Sequence, residues 1–224
     1  MSVVTISNEL GSQGSIIAAK TAEQLGYHLA DQAMLESILQ DYGLVEFDEE
    51  YRSIPGFWDR FDAAKQERRD TFLNMLNKIL EALAHHGNVV IIGRGGFAVL
   101  AGMADVLNVR IQAPLDLRIE RTEGQPSLIA PTPAEEVVKE SDKIQKTFVE
   151  SVYGVPWDDT KAFDLVIDTG KIDPSLAAGM IAQAVKGMKA PGSGGRATAR
   201  ELVVDQVLAS AVRDVLECQT EHVN

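Results

Sequence analysis

Two groups of residues in this chain have the types and spacing that chemistry on a phosphate needs. The first is the turn Gly11-Ser12-Gln13-Gly14-Ser15. It lies between a β-branched run, Val3-Val4-Thr5-Ile6, and an apolar helical pattern that starts at Ile16. A helix N-terminus leaves four backbone N–H groups unpaired and carries a partial positive charge. Small residues in the turn let those groups approach a phosphate closely. Against the pattern G-x-x-x-x-G-K-S/T, Asn8 and Gln13 stand where glycine is wanted and Gly14 where lysine is wanted; only Ser15 is in place. A plain strand-turn-helix without a ligand is the competing reading. The second group is one carboxylate and three arginines: Asp31, Arg94, Arg118 and Arg121. Arg118 and Arg121 are three apart, on one helix face. The planar fork of arginine suits bidentate phosphate contact. The alternatives are that Arg118 and Arg121 pair with Glu120 and Glu123 on a solvated face, and that Asp31 is a helix N-cap.

For these residues to meet, the elements that carry them must end on one edge. Apolar runs predict strands near residues 3–7, 27–29, 89–93, 106–112 and 164–168. Helical patterns fall between them, at about 14–25, 32–40, 63–86, 135–153 and 174–189. Strict alternation predicts an α/β architecture with a parallel, doubly wound sheet. In such a sheet ligands bind at the carboxyl ends of the strands. The first strand delivers the 11–15 turn, the second Asp31, and the third Gly93-Arg94-Gly95. The fourth leads into the helix that carries Arg118 and Arg121. Residues 42–64 are acidic and aromatic, and residues 122–134, with Gly124, Pro126, Pro131 and Pro133, predict an ordered loop or lid. The expected division is a domain over 1–189, a small-residue linker over 190–196, and a C-terminal segment over 197–224. Apolar pairs at 202/203, 207/208, 211/212 and 215/216 make that segment an amphipathic helix. Its stripe is expected to bury against a second subunit, making a homo-oligomer.

The totals narrow the function. A net charge of −12 argues against non-specific nucleic-acid binding, which needs a basic surface. It does not oppose a small anionic ligand in a locally basic pocket. The one cysteine, Cys218, rules out an internal disulfide and a cysteine-based metal site. His28, His85, His86 and His222 show no ligand spacing. The chain opens directly on a strand and has no apolar run of about 18 residues, so a cytoplasmic protein without a membrane partner is expected.

In order and spacing, several pieces resemble a known family. They are TISNELGSQGSIIAAKTAEQLGY at 5–27, AD at 30–31, VVIIGRGG at 89–96, APLDLRIER at 113–121, SDK at 141–143 and FVESVYGVPWDDTKAFDLVIDTG at 148–170. Together they look like the cytidylate-kinase-like proteins, relatives of the nucleoside monophosphate kinases. The resemblance implies a three-layer P-loop kinase fold with sheet order 2-3-1-4-5, followed here by a C-terminal helical extension. It implies ATP and Mg²⁺. Gly11, Ser12, Gln13, Gly14 and Ser15 would cradle the triphosphate, with Ser15 on the metal. Asp31 and Arg94 would meet the acceptor, a nucleoside monophosphate such as CMP. Arg118 and Arg121, at the start of the lid, would surround the moving phosphoryl group with help from Lys143. The departures are equally specific: no basic residue in the loop, Asn8 where relatives commonly carry arginine, and Gln145 where the lid helix would offer another. Two functions therefore stand: a phosphotransferase, and a catalytically impaired pseudokinase that acts as a nucleotide-binding or regulatory module.

Overall fold

The five apolar runs form one parallel sheet in the order β2-β3-β1-β4-β5. The strands are β1 (Val3–Asn8), β2 (His28–Ala30), β3 (Val89–Ile92), β4 (Val106–Gln112) and β5 (Leu165–Asp168). The computed structural model describes residues 1–41, 63–93, 95–123, 133–188 and 195–221. The acidic-aromatic stretch over 42–62, the loop over 124–132, most of the linker and Arg94 lie outside the described residues.

β1 is central, buried on both faces, and it pairs with β3 and β4 from Val3 onward. Its even side chains, Val4 and Ile6, enter one core with Ile17, Val109, Ile111, Ala178 and Ile181. That layer is made by α1 (Gly14–Leu25) and, late in the chain, a helix over Pro174–Gly187. The opposite face is covered by α2 (Gln32–Asp41), α3 (Ala63–His86) and α4 (Gly96–Val99). After β4 come α5 (Leu115–Glu123) and α6 (Ala134–Tyr153), so the Pro174–Gly187 helix is α7. The apolar residues at helical spacing on α3 are core: Phe72, Leu76, Ile79, Leu80 and Leu83 are buried, and Met75 is partly buried against them.

The C-terminal segment corrects one expectation. Helix α8 spans Gln206–Glu221, and its stripe, Leu208, Val212, Val215 and Leu216, is buried against α3 and α2 of the same chain. A second subunit is not what covers it. The helix also starts later than residue 197. Residues before it are held to the sheet side: the Ala199 N–H donates to Asp105 Oδ1 at 2.8 Å, and the Ala104 N–H to the Ala197 carbonyl at 2.9 Å. A single 3₁₀ turn, Ala199–Glu201, follows from that tether.

Candidate functional site

The carboxyl ends of β1, β2 and β3 open on a cleft of about 1730 Å³. Ser15 lines it at the start of α1, Asp31 at the end of β2, and Gly93 after β3. Helix α6 forms the facing wall with Glu136, Lys139, Glu140, Lys143 and Gln145. The turn below is tightly built. Gln13 precedes α1 in the left-handed conformation, with φ 64°, and no side chain caps the helix. A Cβ on Gly11 would lie 2.5 Å from the Arg118 carbonyl oxygen, and one on Gly14 would run into the Asn8 side chain. Both glycines thus admit close packing within the chain. Ser12 is fully buried and donates its hydroxyl to the Glu9 carbonyl at 2.7 Å, so of the hydroxyls in the turn Ser15 alone reaches the cleft.

The arginines of α5 sit under the turn, not on a solvated face. Arg118 is buried. It grips Asp142 of α6 with both terminal nitrogens, at 3.0 and 2.9 Å. It also donates to the carbonyls of Leu10 (3.3 Å) and Ala113 (3.2 Å) and lies 3.3 Å from Glu9 Oε2. Arg121 donates to the Gly11 carbonyl at 3.3 Å and to Thr169, at Oγ1 (3.0 Å) and its carbonyl (2.9 Å). Asp31 caps α2, accepting from the Met34 N–H at 3.0 Å, and still borders the cleft. Lys143 is largely exposed and lies 3.5 Å from Glu140.

Sequence reasoning missed the residues that organise this region. Glu9 accepts from Arg110 (3.1 Å) and from the Ala113 N–H (3.2 Å) while facing Arg118. Arg110, buried on β4, donates to Ser7 Oγ at 3.0 Å and stacks on Trp157 at 3.9 Å. Burial holds its guanidinium below arginine's usual range, and Glu9 works against that shift. Two arginines and two carboxylates thus form one compensated network from β1 to α6. The available signal was Asn108, Arg110 and Gln112, polar at alternate positions of a strand whose other residues are apolar.

The sequence profile of the cytidylate kinase-like family matches residues 3–171, three-quarters of a chain of 224. The chain belongs to the cytidylate kinase-like family. Its similarity to a cytidylate kinase of Ignicoccus hospitalis is 29% identity over 177 residues, covering 78% of this chain and 93% of that one. A cytidylate kinase of Methanopyrus kandleri is 26% identical over 178 residues, covering 75% and 85%. The crystal structure of an uncharacterized protein from Eubacterium ventriosum has the same fold, with a TM-score of 0.60 at 21% identity over 84% of this chain and 99% of that one. In this cytidylate kinase-like protein the Gly11–Ser15 turn and both arginines of α5 lie together at one end of the parallel sheet. Among the described residues, the basic side chains that line its cleft are Lys139 and Lys143.

Proposed function

We propose that the chain binds a nucleoside triphosphate at the Gly11–Ser15 turn and transfers its terminal phosphoryl group to a nucleoside monophosphate of the cytidylate type. The observation that carries this reading is the shared cleft. The opening of α1, with Ser15 exposed, faces the same space as Asp31 and as Gly93, next to Arg94. Relatives named cytidylate kinase support the class of acceptor. Phosphoryl transfer is mostly positioning and charge stabilisation, so two nucleotides meeting at one sheet edge is its first requirement. The triphosphate would be ATP, with its phosphates at the N-terminus of α1. Among the described residues no cluster of three or more His, Cys, Asp or Glu gathers for a metal ion. Mg²⁺ would accordingly be held by the Ser15 hydroxyl together with phosphate oxygens, and when bound it offsets phosphate charge. Arg94 and Asp31 receive the acceptor, and Lys143 reaches from α6 toward the transferred group.

One observation favours a second reading, nucleotide binding without transfer. Arg118 and Arg121 are engaged by protein oxygens, so neither guanidinium is poised on the cleft side. The test is incubation with ATP·Mg²⁺ and CMP, UMP or AMP, read by nucleotide chromatography beside thermal shift. Conversion of CMP to CDP is expected. A ligand at 100 times its Kd should stabilise the fold by ~2.7 kcal/mol. Stabilisation without a diphosphate product selects binding without transfer. No shift with any nucleotide sinks both readings.

A further inference from the structure

We infer that Arg118, Arg121 and Thr169 are positioning residues that hold the Gly11–Ser15 turn in a polyphosphate-receiving pose by gripping three successive carbonyl groups from behind. The inference rests on the nucleotide-site reading above, and adds how a turn without lysine receives consecutive phosphates.

The three carbonyls are adjacent in sequence, and each has a different anchor. Arg118 takes Leu10, Arg121 takes Gly11, and Thr169 Oγ1 donates to Ser12 at 3.0 Å. Thr169 Oγ1 also accepts from Arg121, so the last two anchors act as one unit. Thr169 follows β5 and is 2% exposed, which makes it a rigid base. In a trans peptide the N–H points opposite to its C=O. Drawing three carbonyls toward α5 and β5 therefore turns the N–H groups of Gly11 and Gln13 to the other side, while that of Ser12 is taken within the turn. The Ser12 N–H closes on the Glu9 carbonyl at 3.1 Å, which tightens the turn. Gln13, left-handed, then passes directly into helical Gly14. That succession makes consecutive N–H groups converge into an anion-binding concavity. A left-handed glutamine is unfavourable, and such conformations persist where the surroundings over-determine them. Here the grip on Ser12 is the local constraint. Among the described residues Arg121 is held by carbonyl and hydroxyl oxygens and by no carboxylate, so its charge adds to the positive potential behind the turn.

The experiment is calorimetric titration of the full chain and its variants with ATP·Mg²⁺, with magnesium tripolyphosphate and with adenosine, melting temperature being read alongside. Thr169→Val removes the hydroxyl at nearly constant volume. Arg121→Lys keeps the charge but loses the fork that spans Gly11 and Thr169. Each is expected to weaken ATP and tripolyphosphate about tenfold, the equivalent of one charge-assisted hydrogen bond, and to leave adenosine unchanged. Thr169→Ser restores the hydroxyl and is expected to bind like the parent. Folded Thr169→Val and Arg121→Lys proteins that bind tripolyphosphate as tightly as the parent would overturn the positioning role. A parent that binds neither ATP nor tripolyphosphate would instead overturn the nucleotide-site reading beneath it.

Discussion

Arg118 shows how little a side chain's type says about its task. Its guanidinium is suited to phosphate, yet its partners are Asp142, Glu9 and two carbonyls. Replacing a buried ion pair by apolar groups is often tolerated, but removing one partner strands the other. Arg118→Met takes the guanidinium from Asp142 and leaves Glu9 with Arg110 alone. Urea unfolding should show a loss of ~3–5 kcal/mol. Glu120→Ala and Glu123→Ala, at exposed positions, should stay within about 0.5 kcal/mol of the parent. The reverse ranking would restore the solvated-face pairing. Arg94 belongs to the same scale by a different argument. If it meets the acceptor phosphate, Arg94→Ala removes a contact worth ~1.5–3 kcal/mol, roughly a 10- to 150-fold weaker monophosphate affinity. The melting temperature should hardly move; a large fall with CMP affinity intact would make Arg94 a structural residue.

Among elements, α8 and α6 matter most. Helix α8 completes the core on the α3 side, where Leu208, Val212 and Leu216 are each 1% exposed. Leu216→Ala should cost ~2–5 kcal/mol through lost contacts and the cavity left behind. Because the stripe is covered by its own chain, the loss should not depend on protein concentration. A stripe buried between subunits would make the midpoint rise with concentration by mass action. Denaturation at two concentrations a hundredfold apart checks this. Helix α6 is tied to the turn through Asp142 and Arg118, so the cleft wall and the turn beneath it are mechanically joined. The remaining contacts of that helix with solvent are exposed pairs such as Lys139 with Glu135, which contribute little.

The whole molecule carries a net charge of −12, while the compensated network of Glu9, Arg110, Arg118 and Asp142 lies toward the carboxyl end of the sheet. At the opposite end of the sheet His28 ties stability to pH. His28 opens β2, and its ring meets that of His86 edge-on at 5.9 Å. Burial, then the neighbouring His86, lowers the His28 pKa from its ordinary 6.5. The folded state therefore binds fewer protons than the unfolded state as pH falls through and below about 6.5. Stability is present above that pH and is lost in the acid direction toward the lowered folded value. The parent's melting temperature should fall between pH 7 and pH 5, and His28→Gln should fall less. Equal slopes in the two proteins would show that His28 does not report the change.

Most of the architecture is legible in the sequence, for a local reason. Alternating apolar runs and helical stripes specify elements by period alone, and a chain that alternates them has few ways to bury both sheet faces. The five strands and the core of α3 follow from that; the strand order does not, and it was the family resemblance that implied it. The cover over α8 is not local: an apolar stripe does not specify its partner by period, and in the fold, where Ala197 and Ala199 are tied to Ala104 and Asp105, the stripe lies on α3 and α2. The site is less legible still. The turn, Asp31 and the arginines are visible as residue types, but which way each arginine faces depends on acceptors far away in sequence, such as Asp142 and Thr169. Thr5, Ser7, Asn108 and Arg110 read separately as ordinary strand residues. The parallel register sets Thr5 beside Asn108 and Ser7 beside Arg110, and turns them into one polar ladder under the cleft. Side-chain periodicity determined which residues are inward; only the packing of strand on strand and helix on turn decided which buried charge meets which oxygen.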